Sequence, residues 1–215
     1  LWYMFFEVRE EDSYDTFIAY ATSKDGLKWE YQKVILEGEP IQSFPYIFEW
    51  QGEYYISPES YRDNSIKLYK AKKFPDEWVL ENILIKGKYV DPSIFRHDNR
   101  WWIIASTPEN SELYIFYSDD LKGPWKEHPL NPIKKLIRGT ARPAGRIIEY
   151  NGEIYRFAQD CSNYYGEKVI AFKIDKLNEF EYKEEFVGVV LDKGQFGWNS
   201  KGMHTFDAYQ IDEKR

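Results

Sequence analysis

The stretch Asp91-Pro92-Ser93-Ile94-Phe95-Arg96-His97-Asp98-Asn99-Arg100-Trp101-Trp102-Ile103-Ile104-Ala105-Ser106 decides the fold. It reads as a strand opened by an acidic-Pro step, a polar turn, and a second strand that starts on paired aromatics, which is a β-hairpin. The same phrase is written along the whole chain. Paired residues stand at Trp2-Tyr3, Tyr54-Tyr55, Trp101-Trp102 and Ile154-Tyr155, and their second members recur at intervals of 52, 47 and 53 residues. The X-Pro step recurs at Phe44-Pro45, Asp91-Pro92 and Arg142-Pro143, and polar turns follow at 51–53, 97–100 and 151–153. Third strands are expected over 16–23, 66–71, 113–118 and 169–174, and fourth strands from near Trp29, Trp78, Trp125 and Phe180. A period of about 40–50 residues built of short strands marks an all-β chain of β-propeller type, one four-stranded blade per repeat.

The register places all 215 residues in a single propeller domain. Blade one covers 1–40 and lacks its first strand; blades two, three and four cover 41–87, 88–138 and 139–192; residues 193–215 open a fifth. The chain therefore reads as a fragment with incomplete first and last blades. An aromatic content of 19% suits such blades, which pack face to face through large side chains, so most Trp and Tyr residues are expected in the core. The balance of 29 basic to 36 acidic residues, with no basic stripe interleaved with aromatics, excludes a nucleic-acid partner. No apolar run reaches about 18 residues, so no membrane-spanning helix is expected. The single cysteine, Cys161, rules out an internal disulfide and leaves the compartment open.

In a propeller, first strands line the central channel, and antiparallel second strands return to the same mouth. Two rings of residues should therefore converge there. First-strand starts supply Phe44, Asp91, Arg142 and His204; second-strand ends supply Glu7, Ser57, Glu59, Ser106, Thr107, Gln159 and Asp160. Four carboxylates beside an arginine and a histidine make an unusually charged mouth. Crowded carboxylates raise one another's pKa and a nearby guanidinium lowers it, so one acid can be held protonated while another stays ionised. Hydrolysis of a glycosidic bond needs that pairing of acid and carboxylate. Phe44, Tyr61, Tyr164 and Tyr165 are candidates to stack on sugar faces.

The segments Tyr89-Val90-Asp91-Pro92-Ser93-Ile94-Phe95 and Ser118-Asp119-Asp120-Leu121-Lys122-Gly123-Pro124-Trp125 resemble blade motifs of the five-bladed propeller glycosidases, the arabinanase and xylosidase clan of glycoside hydrolase family 43. Other segments are more similar to the propeller domain at the N-terminus of glucosamine inositolphosphorylceramide transferases and its bacterial relatives. These are 44–49, Ser57-Pro58-Glu59-Ser60, Ala141-Arg142-Pro143-Ala144-Gly145-Arg146, Gln159-Asp160-Cys161-Ser162 and Gly202-Met203-His204-Thr205. The glycosidase resemblance implies five blades and three acids: a general base opening blade one, a pKa-tuning Asp opening blade three and a general acid opening blade four. Asp91 matches the second. Blade four has Ala141-Arg142-Pro143 where the clan has Glu-Gly-Pro, and His204 is a loose match to a fifth-blade histidine that faces a central water-bound metal.

The leading expectation is a glycosidase-like, carbohydrate-active propeller acting on a glycan or glycoconjugate. Asp91 and Glu59 are its catalytic carboxylates, and Glu7, Phe44, Arg142, Arg146, Gln159, Asp160 and His204 bind substrate. The alternative is a non-catalytic glycan-recognition or scaffolding domain attached to a glycosyltransferase, which the missing blade-four Glu favours. Each residue also has a structural use: Asp91 as a turn acceptor, Glu59 as an exposed loop glutamate, Arg142 and Arg146 in ion pairs, His204 as a hydrogen-bonded histidine, and Asp160 as a tie between blades. No protein-ligated metal or other cofactor is expected. His97, His128 and His204 are the only histidines, and the first two fall in turns at the far mouth. A hydrated calcium ion on the channel axis is compatible with the carboxylates. A Cys161–His204 nucleophile pair lacks an orienting third group.

Overall fold

Tyr55, Trp101, Trp102 and Ile154 are all buried in second strands of their sheets, where a side chain is covered from both flanks. A computed structural model describes residues 1–12, 15–36 and 41–209, apart from the side chain of Tyr61. Two units divide the chain, Leu1–Pro92 and Ser93–Arg215.

In the first unit, β1 (Trp2–Arg9), β2 (Thr16–Ser23) and β3 (Glu30–Ile35) form a three-stranded antiparallel sheet in that order. The strands β4 (Ser43–Trp50), β5 (Glu53–Glu59), β6 (Ser65–Lys73) and β7 (Glu77–Lys86) form a four-stranded one. Ile18, Tyr20 and Ile35 of the first sheet meet Ile56 and Tyr69 of the second in one core cluster. Phe74 stacks on Tyr54 at 4.0 Å between ring centroids and meets Tyr3, Phe5 and Trp78 edge-on or tilted. The Tyr20 hydroxyl donates to Asp76 at 2.7 Å, so the aromatic packing carries a polar anchor. Trp2 and Tyr3 depart from the expected burial: β1 is an edge strand, and both rings stay exposed.

The unit boundary falls inside β8 (Val90–His97), which joins β9 (Arg100–Ser106), β10 (Leu113–Ser118) and β11 (Lys126–Glu127) in the third sheet. The fourth holds β12 (Ile148–Tyr150), β13 (Glu153–Asp160), β14 (Lys168–Leu177) and β15 (Tyr182–Leu191). Phe95, Trp102, Ile104 and Ile115 pack with Ile154, Ile174 and Leu177 in the main core cluster of the second unit. The fourth strand expected near Trp125 is only two residues long. Beyond it a side chain pairs with β10 at Ile115, which donates its N–H to Asn131 Oδ1 at 2.9 Å and accepts from Asn131 Nδ2 at 2.7 Å, before backbone pairing resumes between Leu113 and Lys134. The Asn131 amide thus stands in for a backbone neighbour at one position of β10.

Each sheet runs up and down in chain order, as propeller blades do, and the fold is an all-β propeller. Among the described residues there are four such sheets, not five. The described part of the segment expected to open a fifth, 193–209, forms no strand; Phe206 instead makes a single parallel bridge to Gly145, donating its N–H to the Ala144 carbonyl at 2.7 Å. Gly145 has φ of 142°, and a Cβ there would overlap the Phe206 carbonyl. Gly145→Ala is therefore expected to undock this segment and cost about 2 kcal/mol. Chemical denaturation, with tryptic cleavage after Lys201 as a local readout, checks it; wild-type stability and protection would exclude the effect. No helix is long and apolar enough to cross a membrane among the described residues.

Candidate functional site

The hairpin of β4 and β5 turns at Gln51 and Gly52, both at positive φ, and at its other end Ser43 pairs with Glu59. Between Ser43 and Tyr46 the register slips at a bulge that contains Phe44-Pro45. Phe44 has φ of 46°, and Asp91, at the equivalent pre-proline position of β8, has φ of 50°. Left-handed backbone at a non-glycine residue costs about 1–3 kcal/mol, and the following proline restricts it further, so something must hold it. At Asp91 the holder is Glu59, whose Oε2 accepts the Asp91 backbone N–H at 3.1 Å. Such a charge-assisted bond is stronger than a neutral one. Asp91 and Glu59 are 2% and 7% exposed, so the exposed loop glutamate of the sequence reading is instead a buried strand residue.

One step beyond the Ser43–Glu59 pair stand Gln42 and Ser60, which sequence reasoning passed over. The Gln42 backbone N–H donates to the Thr16 carbonyl at 2.9 Å, and the Ser60 carbonyl accepts the Asp63 N–H at 2.9 Å. Their side chains are 1% and 3% exposed, yet Gln42 Nε2, Gln42 Oε1 and Ser60 Oγ have no hydrogen-bond partner among the described residues. Each such atom costs about 1–3 kcal/mol, and natural proteins leave few of them. The signal that could have found Ser60 is the repeat: it occupies the position of Thr107, whose buried Oγ1 is likewise unpartnered. The neighbouring hydroxyls are spent on their own sheets, Ser57 on the Lys67 carbonyl and Ser106 on the Glu112 carbonyl.

In the second unit Arg142 is buried, donates from Nη1 to Asn110 Oδ1 at 2.7 Å and lies 5.0 Å from the centre of the Tyr165 ring. The exposed Tyr165 meets His204, also exposed, at 5.2 Å, so Arg142, Tyr165 and His204 form one cluster. Beside it, Gln159 donates its backbone N–H to the Arg142 carbonyl and its Nε2 to the Pro143 carbonyl, both at 2.8 Å. Asp160 accepts the Ser162 N–H at 2.9 Å and lies 3.5 Å from Lys168 Nζ. Burial pushes the Asp160 carboxyl up, but Ser162 and the Lys168 ammonium outweigh it and hold it below the ordinary value. Asp160 is thus tuned by a serine and a lysine, not by the other carboxylates expected beside it from the sequence.

Other predicted residues are not gathered in. Glu7 is exposed on β1 opposite Ile18, and Arg146 pairs with Asp207 at 3.1 Å. Tyr164 is bonded through its hydroxyl to Lys193, and the side chain of Tyr61 lies outside the described residues. His97 closes β8 rather than sitting in the turn, while His128 is buried, with Nδ1 accepting the Leu130 N–H and Nε2 therefore donating to the Asn178 carbonyl. Among the described residues no three His, Cys, Asp or Glu side chains are grouped to hold a metal ion.

Residues 1–215 match the family model described as Glucosamine inositolphosphorylceramide transferase 1, N-terminal. The chain is 38% identical to Glucosamine inositolphosphorylceramide transferase 1 of Oryza sativa subsp. japonica over 220 residues, which take in 97% of this chain and 30% of that protein. It is 36% identical to its namesake of Arabidopsis thaliana, covering 97% of this chain and 29% of that protein. The chain thus spans under a third of the length of these relatives. Among solved structures it is similar to a thermostable family-43 glycoside hydrolase, with a TM-score of 0.66 and 17% identity over 91% of this chain and 73% of that one. At that identity the likeness concerns the fold alone.

Proposed function

Since this chain belongs to the family described as Glucosamine inositolphosphorylceramide transferase 1, N-terminal, we propose that it is a carbohydrate-recognition propeller that binds a glycoconjugate of the kind those relatives are named for. The observation that carries this reading is the Glu59–Asp91 bond: the Glu59 carboxylate is engaged by the backbone N–H of Asp91 at 3.1 Å. A group so engaged suits a built binding site better than proton delivery to a leaving oxygen, which needs a carboxylic acid with its proton available. The absence of a Glu at Ala141-Arg142-Pro143 supports the same choice. Glu59 and Asp91 shape the ligand site in the first unit. In the second, the exposed ring of Tyr165 offers a stacking face backed by Arg142 and His204, with Gln159 and Asp160 beneath it; Phe44, Glu7 and Arg146 are peripheral contributors.

Hydrolysis by Asp91 and Glu59 is the second reading, favoured by the near-complete burial of both carboxylates. Glycan-array retention and reducing-sugar release by the full-length protein separate the two. Binding without release is expected, with Asp91→Asn and Glu59→Gln each weakening retention about tenfold. Release that falls about a hundredfold in both variants would establish the hydrolytic reading instead. Retention of no glycan, with no release, would sink both.

A further inference from the structure

We propose that Gln42 and Ser60 form a subsite that reads a neutral pair of vicinal hydroxyls; this deepens the glycan-binding reading and rests on it. The two residues follow directly on the Ser43–Glu59 pair, so in the antiparallel register they stand opposite each other, and opposite residues project to the same face. Their backbones are tied down, Gln42 to Thr16 and Ser60 to Asp63, and both side chains are more than nine-tenths buried. Three polar atoms, Gln42 Nε2, Gln42 Oε1 and Ser60 Oγ, nevertheless have no partner among the described residues.

The donor pattern defines the ligand class. A carboxamide presents one acceptor and one donor side by side, and a serine hydroxyl can play either part. Neighbouring hydroxyls on a ring match that set: one donates to Oε1, the next accepts from Nε2, and Oγ serves whichever remains. None of the three atoms carries a charge to meet an ionised group. Glu59, next in sequence to Ser60 and bonded to the Asp91 N–H, projects to the other face of the strand, so the subsite is separate from the carboxylate pair. The same repeat position in the third sheet carries Thr107, whose buried hydroxyl is likewise unpartnered among the described residues, without a carboxamide opposite it.

The test uses myo-inositol, which has vicinal hydroxyls but no glycosidic bond, and cyclohexanol, which has a single hydroxyl. Saturation-transfer NMR on the full-length protein should detect myo-inositol and not cyclohexanol. Gln42→Leu and Ser60→Ala should each weaken inositol binding about tenfold. Gln42→Leu should melt no lower than wild type, because it removes a buried amide without a partner; Ser60→Ala, a smaller change, guards against a folding defect in the first variant. Equal inositol binding by wild type and both variants would overturn the subsite while leaving glycan binding intact, the two side chains then holding water only. Equal binding of cyclohexanol and inositol would also overturn it. Failure of wild type to bind inositol or any arrayed glycan would overturn the glycan-binding reading and the subsite with it.

Discussion

Replacing Arg156 with leucine is expected to destabilise the second unit by about 3–5 kcal/mol, the cost of leaving one partner of a buried ion pair behind. Arg156 projects from β13 and is 1% exposed. Its guanidinium crosses the face of Phe172 on β14 at 4.4 Å from the ring centre and meets Glu184 on β15 with two nitrogens, Nη2 reaching Oε1 at 2.6 Å and Nε reaching Oε2. Nη2 also donates to the Thr140 carbonyl at 2.9 Å. Glu184 receives Lys134 at 2.7 Å and the Tyr182 hydroxyl as well, so three strands and a preceding loop close on one carboxylate. Without Arg156, Glu184 would stay buried with Lys134 as its remaining cation among the described residues. Hydrogen exchange of β13 to β15 should accelerate at least about a hundredfold, and Arg156→Leu with Glu184→Leu together should restore much of the loss. Additive losses in the double variant, or unchanged exchange in the single one, would exclude the coupling.

Acid is expected to undo the same cluster. Burial pushes the Glu184 carboxyl up, but the charge and hydrogen bonds of Arg156, with Lys134 and Tyr182, hold it at about 2, against an ordinary 4.5. A carboxyl with a depressed folded pKa stabilises the fold in full above its unfolded value. That stabilisation fades as pH falls from about 4.5 toward 2, and its total is about 3 kcal/mol at 1.36 kcal/mol per unit. Unfolding free energies measured between pH 7 and 2.5 should fall more steeply below pH 4.5 for wild type than for Glu184→Gln. Parallel acid limbs in the two proteins would show that Glu184 contributes nothing to the slope.

What could be read from the sequence depended on whether the physics was local. Side-chain alternation and turn residues are local, so Thr16–Ser23 and Leu113–Ser118 were placed to the residue, and the X-Pro steps located the starts of β4 and β8. The short β11 was not legible, because the pairing beyond it at Ile115 is made by the side chain of Asn131, sixteen positions from the backbone it serves. The extent of the last sheet misled for a similar reason: Phe206 pairs with a backbone 61 positions away, close to a glycine whose only signature is its missing Cβ. Arg156 and Glu184 sit on strands separated by β14, so no spacing rule joins them. At the candidate site the sequence named Glu59 and Asp91, yet the bond between them runs to a backbone N–H, which every non-proline residue possesses. Gln42 and Ser60 escaped because an unpartnered atom is a property of its surroundings.

The left-handed strand starts at Phe44 and Asp91 have a consequence for how such a protein can be retooled. Both residues precede proline, both have φ near 50°, and they belong to successive repeats. The backbone there acts as a fixture that sets the bearing of whatever side chain it carries. One copy presents an aromatic ring and the next a carboxylate from the same mount. Under the proposed recognition role, exchanging a single side chain per repeat changes what each mount presents, with no new loop to build and no strand to re-register.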